Sequence, residues 1–573
     1  MTESSEDLSL VVELMRRGLS RRGFLRGAAA VVAAGGTSSV LLEACGGTSP
    51  STSSSGGAPK RGGHITEGWN TDIKTFNSIL TQDVYSNLVI NLVSDGLLSV
   101  DGKGNLIPSI ASAVPGGGSD GNTYTFKLRS DVKWTDGMPV TSDDVLFTYN
   151  LIFAPEYAAV ASPRRGDFTK HVDSISAPDP QTFVIKTKAP YAPLLVNHGT
   201  YGIMPKHVLS SVSPVAINTM SYNSAPTVTN GMFKFVSWQQ GAQVVLARND
   251  GYYRGAPLLD KYVYKVLPSQ VAIGNALKTG EIDVGSQLDP SQISSLQTVQ
   301  GLTIDDFVTP SFQFLAYNLD PAKPAGKILQ DQAVRQALYY AINRPAIVKS
   351  VLYDQGSVAN SVEPPTVFAY NPNTTPAYDY SPSKANQLLD KAGWVKGSNG
   401  VRAKDGVQLA FTMQAESGNL TLTNVMQVIQ QNWKAVGCNM TPTTIQFPQL
   451  VTNLTDTRDF DIILVGFNFV NDPDQAQLFS SSGTAVGGFN GMDFKNGQVD
   501  NLLAEGAATL DKAKRKQIYD QYQNLMAQLA PVVLLYFSKQ AYGHISRVQG
   551  TQLNTFQQYT RPWMNKVSVT DGK

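Results

Sequence analysis

Residues 121–150, GNTYTFKLRSDVKWTDGMPVTSDDVLFTYN, constrain the fold more than any other stretch. Tyr124, Phe126 and Leu128 alternate with Thr125, Lys127 and Arg129, the period of a half-buried strand. Val132 and Trp134 share one face of a second short strand, and Asp136-Gly137 marks a tight turn, since Gly accepts positive φ. Thr141 opens a helix. Its hydroxyl can accept an orphan backbone N–H, and Asp143 and Asp144 lie where the helix dipole favours anions. Val145, Leu146, Tyr149 and Phe153 then fall on one helical face. Nothing here is chemically reactive. The stretch reads as a β-hairpin that delivers a capped amphipathic helix, part of an α/β globular body.

A chain of 573 residues has room for two or three domains. Lys and Arg number 46 and Asp and Glu 45, so there is no basic footprint for nucleic acid. Cys45 and Cys438 cannot make a disulfide framework, and Cys438 reads as a small buried hydrophobe in a helix-to-strand connection. His64, His171, His198, His207 and His544 show no metal-ligand spacing, so no metal or other cofactor is expected.

The first segment, 1–44, is a polar leader ending in Ser20-Arg21-Arg22-Gly23-Phe24-Leu25-Arg26, then a mild apolar run from Ala28 to Leu42. That run falls short of the about 20 apolar residues that span a bilayer, but suits a signal core. The paired Arg21 and Arg22 resemble a twin-arginine export motif. Leu42-Glu43-Ala44-Cys45 resembles a lipoprotein cleavage box, with Glu43 as a departure. Two outcomes stay open: lipidation of Cys45, or plain cleavage near it. Residues 45–59 are rich in Gly, Ser, Thr and Pro and read as a flexible tether.

From Lys60 the body begins. His64 to Asn70 reads as a strand, and 81–98 as a helix with Val84, Leu88 and Leu92 on one face, ending at Asp95-Gly96. Residues 225–285 hold two strands around Gln240-Gly241, aromatics at Phe233, Phe235, Trp238, Tyr252 and Tyr253, then a helix over 271–278 and Gly280-Glu281-Ile282-Asp283. Helices are expected from Asp331 to Ile342, over 421–436 and over 511–529; Phe460 to Val470 is an apolar, buried strand.

The order of these segments resembles family 5 extracellular solute-binding proteins, the peptide- and nickel-type receptors of ABC importers. The resemblance rests on Tyr124–Arg129 with Val132–Asn150, on Leu246–Asp260, on Asp331–Arg344 (Asn343 replacing the usual Asp) and on Tyr380–Trp394. It covers about residues 60–560. It implies a two-lobed α/β fold of the periplasmic-binding-protein type, with a hinge and an extra inserted domain. The implied layout is lobe I over 60–96, 206–310 and 536–573, the inserted domain over 97–205, and lobe II over 311–535.

Two competing motifs are set aside. Gly117-Gly118-Ser119-Asp120-Gly121 fits a nucleophile elbow, and Gly116–Gly121 fits a dinucleotide fingerprint, but a strand follows where a helix is needed. Arg165-Gly166-Asp167 is a chance tripeptide.

The resemblance implies no catalysis: ligand contacts both lobes only when they close, so it shifts the population toward the closed form. In peptide receptors of the family an Asp in the loop after the apolar strand takes the peptide's amino terminus. Aligning the family's Asp-Pro on Asp472-Pro473 puts that position at Phe469, which is not acidic. Asp472 and Asp474 stand as substitutes, against their ordinary role of capping the next turn. Candidate ligand contacts are Trp69, Asp95, Trp238, Phe467, Asn468, Phe469, Asp472 and Asp474. An oligopeptide is the family default; an oligosaccharide or other amphipathic solute suits the aromatic residues. Implied partners are the solute, membrane permease subunits and a lipid anchor, with no nucleic acid and a monomeric receptor. The implied location is outside the cytoplasmic membrane, in the periplasm where a cell has two membranes. A surface sensor on the same fold is the other reading; a secreted hydrolase lacks any catalytic motif.

Overall fold

The computed structural model describes residues 60–81, 83–469, 471–485, 488–557 and 560–573. The Arg21-Arg22 pair, Cys45 and the tether lie outside the described residues. Among these, an 11-stranded sheet forms the backbone of a two-lobed α/β fold. Its order is Asn439–Ile445, Ala410–Glu416, Ile462–Asn468, Leu302–Tyr317, Val532–Ile545, Val284–Gly285, His64–Trp69, Lys261–Val266, Gln243–Arg248 and Phe233–Gln239, with Gly356–Val358 added beside Val532–Ile545.

Leu302–Tyr317 and Val532–Ile545, 16 and 14 residues long, run antiparallel through the middle of the sheet. Leu302–Val308 pairs with Lys539–Ile545, and Phe312–Ala316 pairs with Val532–Phe537. The register breaks between Val308 and Phe312. Pro310 sits inside that break, and proline has no N–H to give to a ladder. Apolar cores pack on each side: the largest joins Phe312 to Phe537, and another joins the first strand to Trp563 and Val569.

A separate three-stranded sheet, in the order Thr123–Lys127, Thr182–Thr187, Val172–Asp179, carries the opening stretch. Its helix, Ser142–Phe153, starts at Thr141 with a capping box: the Thr141 N–H donates to Asp144 Oδ2 at 2.9 Å. The expected second strand at Val132 and Trp134 is reduced to a single bridge, Lys133 to Pro139. Gly137 turns at φ +94°, and Pro139 cannot extend the ladder. The helix expected over 81–98 is Val84–Val93, because Ser94 is extended and the chain then presses on Thr200. A Cβ on Gly96 would lie 2.7 Å from the Thr200 carbonyl oxygen. Gly117–Gly121 forms a turn around Asp120, which accepts from the Asn122 and Thr123 N–H groups. Arg165-Gly166-Asp167 opens a helix, Arg165–His171, in which Asp167 meets His198 at 2.7 Å.

The first strand is tied to the far end of the chain by a buried ion pair. Arg561 Nη2 donates to Glu67 Oε1 at 2.7 Å, and Tyr262 Oη to Glu67 Oε2 at 2.8 Å. Both Glu67 and Arg561 are fully buried. Cys438 is buried between the helix Leu420–Ala435 and the strand Asn439–Ile445, and burial pushes its thiol up. No helix among the described residues is long and apolar enough to cross a membrane.

Candidate ligand crevice

The sheet directs three strand ends at one place. His64–Trp69 and Val284–Gly285 are parallel, and both run toward the register break at Thr309–Ser311. Ile462–Asn468 comes from the opposite side and ends there too, with Asn468 paired to Ser311. Crevices beyond the carboxyl ends of strands are where open α/β sheets bind ligands, since loops there are free to vary.

On the first side, the structure encloses Trp69. It is 1% exposed, its ring stacked on Tyr264 at 5.8 Å and met edge-on by Tyr85. Tyr85 in turn reaches Gln287, just past Val284–Gly285, at 3.3 Å. Trp238 is half-buried; its Nε1–H donates to Asp72 Oδ1 at 3.1 Å, and Phe76 packs edge-on against it. Trp69 and Trp238 are thus anchored, directly or through Asp72, to the segment that leaves the first strand. Asp95 lies elsewhere. It accepts from Tyr252 Oη at 2.9 Å and Tyr253 Oη at 2.8 Å where helix Val84–Val93 ends, and burial raises its carboxyl.

On the other side, Phe467, Asn468 and Phe469 form a continuous wall. Asn468 is exposed and the two rings flanking it are partly buried. Phe469 stacks on Phe312 at 5.0 Å, Phe467 lies 5.1 Å from Phe469, and Phe489 meets Phe467 edge-on at 5.6 Å. The Phe469 N–H donates to the Pro310 carbonyl at 2.8 Å, fixing the wall to the register break.

The two aspartates after this wall both cap: the Asp474 N–H donates to Asp472 Oδ1 and the Ala476 N–H to Asp474 Oδ1, each at 3.0 Å. Asp472 is also engaged by Arg515, whose Nη1 and Nη2 donate to its two oxygens at 2.8 Å. Both are buried. Asp474 has no such ion pair among the described residues. Burial, then the charge of Asp472, push its carboxyl up to about 7. Beneath them lies Glu363, fully buried, neither oxygen of which has a hydrogen-bond partner among the described residues. Burial, then Asp472 and Asp474, raise it well above the carboxylate range. The loop reaches the turn between the paired strands Leu98–Val100 and Leu106–Pro108, where Asn471 Nδ2 donates to the Gly104 carbonyl at 2.5 Å.

Phe312, Phe489, Glu363 and Arg515 did not stand out in the sequence. Arg515 is one of several basic residues that open a helix. Only its helical spacing to Tyr519, Tyr522 and Met526, all buried, marks it as inward-facing. Glu363 carries no such mark. Among the described residues no group of three or more His, Cys, Asp or Glu is placed to hold a metal ion.

Residues 105–489 match the model of the bacterial extracellular solute-binding proteins, family 5, middle region. The chain belongs to this family. The oligopeptide-binding protein AppA of Bacillus subtilis is 29% identical over 485 residues, 84% of this chain and 87% of AppA. The structure of B. subtilis AppA in complex with a nonapeptide superimposes with a TM-score of 0.77 at 26% identity, covering 89% of this chain and 100% of that one. NikZ of Campylobacter jejuni in complex with Ni(L-His) superimposes with a TM-score of 0.76 at 25% identity, covering 88% and 99%. Family 5 proteins bind solutes and are not enzymes.

Proposed function

We propose that this chain is the extracytoplasmic substrate-binding subunit of an ABC importer, and that it takes an oligopeptide or a similar solute into the crevice at Thr309–Ser311. The observation that carries this reading is the convergence of strand ends from both halves of the sheet on one register break. In this reading lobe I comprises 60–96, 206–310 and 536–573, lobe II comprises 311–535, and 97–205 is the inserted domain. Paired long strands interrupted at Pro310 can bend there, so the lobes close as bodies and bury the solute between them. Asn468 offers amide hydrogen bonds, and Phe467 and Phe469 offer ring faces. Trp69 and Trp238 support the opposite wall. Asp472, held by Arg515, shapes the loop, and Asp474 is the remaining acid for a ligand amine. Asp95 braces the inserted domain.

Delivery to a permease follows from closure, because only the closed form presents both lobes together. Arg21 and Arg22 serve export, and a lipidated Cys45 on the 45–59 tether holds the monomeric receptor at the membrane.

The aromatic wall supports a second reading, a receptor for an oligosaccharide or other non-peptide solute, because the wall itself is Phe467, Asn468 and Phe469 and Asp472 is buried against Arg515. Native mass spectrometry of gently purified protein, followed by analysis of what denaturation releases, separates the two. A ladder of peptide masses supports the first reading. A single sugar-like or other non-peptide mass supports the second. Failure to compact in small-angle scattering with any solute of a broad peptide and glycan panel counts against both.

A further inference from the structure

A cavity of about 210 Å³ lies beside Leu534 of the long strand and Met526 of the helix Lys512–Leu529. Two opposite charges line it. Arg344 is 5% exposed, and its guanidinium donates only to neutral acceptors. Nη1 reaches the carbonyls of Ala359 at 2.5 Å and Leu534 at 3.2 Å, and Nη2 reaches that of Tyr378 at 2.5 Å. The ring of Tyr339 lies 4.9 Å from its central carbon. Among the described residues the arginine ion pairs all belong to other arginines. Carbonyl dipoles hold the side chain in place with no carboxylate paired to it among the described residues, and a buried cation at the wall of a cavity favours an anion as occupant.

Asp379 lines the same cavity, is exposed, and has no ion-pair partner among the described residues. The remaining surface combines the polar groups of Asn360, Ser361 and Gln523 with apolar ones. Val358 and Met526 contribute to it, and Tyr339 and Tyr378 stack with centroids 4.0 Å apart and planes 6° apart. A cavity of about 150 Å³ accommodates benzene, so this one suits about eight to ten non-hydrogen atoms. We propose that it is a second binding site, independent of the crevice, for a free aliphatic α-amino acid. Its carboxylate meets Arg344, its ammonium meets Asp379, and its side chain lies against Val358 and Met526. The site asks for both charges on one small molecule, which sets it apart from a general apolar pocket.

Calorimetric titration of the full chain with L-leucine, isovalerate and isoamylamine tests this. The expected order is leucine at least about tenfold tighter than either singly charged analogue. Ala377→Phe, at the exposed mouth, and Ala527→Phe, on the helix, each remove leucine binding, whereas Phe469→Ala in the crevice keeps it. Asp379→Asn brings leucine down to the affinity of isovalerate. The proposal is overturned by no leucine binding up to about 10 mM, by leucine binding retained in both cavity-filling variants, or by an unchanged leucine affinity in Asp379→Asn.

Discussion

Asp474 gives a stability-versus-pH prediction whose size follows from its surroundings. Its carboxyl is pushed from 3.8 up to about 7, by burial first and by Asp472 second. A carboxyl raised in the folded state binds more protons there than in the unfolded chain. It therefore imposes no cost below the unfolded pKa, and stability is lost as pH rises from about 4 through about 7. The difference of about 3 units corresponds to about 4 kcal/mol. Asp474 keeps part of its surface in contact with water, which scales this to roughly 2 kcal/mol. Asn at this position keeps the acceptor for the Ala476 N–H and removes the charge. Asp474→Asn is therefore expected to match the wild type at pH 4 and to exceed it by about 2 kcal/mol at pH 8. Guanidinium unfolding of both proteins at several pH values measures this. Parallel stability curves, or an advantage that grows toward acid, would refute the reasoning.

Glu363→Gln changes stability in the same sense, with a gain at neutral pH that disappears in acid; a loss at neutral pH in the same titration argues against a neutral Glu363. Arg515→Met leaves Asp472 buried without its cation and costs about 3–5 kcal/mol. Adding Asp472→Asn recovers most of it, and a double variant no better than the single one by denaturant midpoint contradicts the pairing. Phe469→Ala is expected to weaken crevice binding about tenfold, since a stacked aromatic pair is worth about 0.5–1.5 kcal/mol beyond its area; an unchanged yield of co-purified solute by native mass spectrometry speaks against the wall. Cys45→Ala is expected to move the protein from the membrane fraction to the soluble one, and equal fractionation of the two forms rules out the anchor.

The sequence revealed elements wherever one face of a segment carried the pattern. Helix Ser142–Phe153, strands Phe233–Gln239 and Gln243–Arg248, and strand Ile462–Asn468 were legible because period and turn residues agree locally. The expected strand at Val132 and Trp134 failed because its partner carries Pro139, a fact about pairing that alternation along one segment does not report. The crevice was legible as a loop, Phe467 to Asp474, but not as a surface. Trp69 shows why: an aromatic residue at a strand end reads the same whether its ring faces solvent or, as here, stacks on Tyr264. Arg515 and Asp472 are 43 residues apart, Glu363 is farther still, and no local pattern brings them together.

The bond between Glu67 and Arg561 spans 494 positions, and it sets an order on folding. As the chain leaves the ribosome, the first strand has neither its charge partner nor Val532–Ile545, which lies between Val284–Gly285 and the long strand Leu302–Tyr317. A carboxylate at the centre of an apolar core is strongly disfavoured without its cation. The segments around Phe312 to Phe537 can collapse earlier, since every residue of that core has by then been made. The core around the first strand, begun first, is thus completed last.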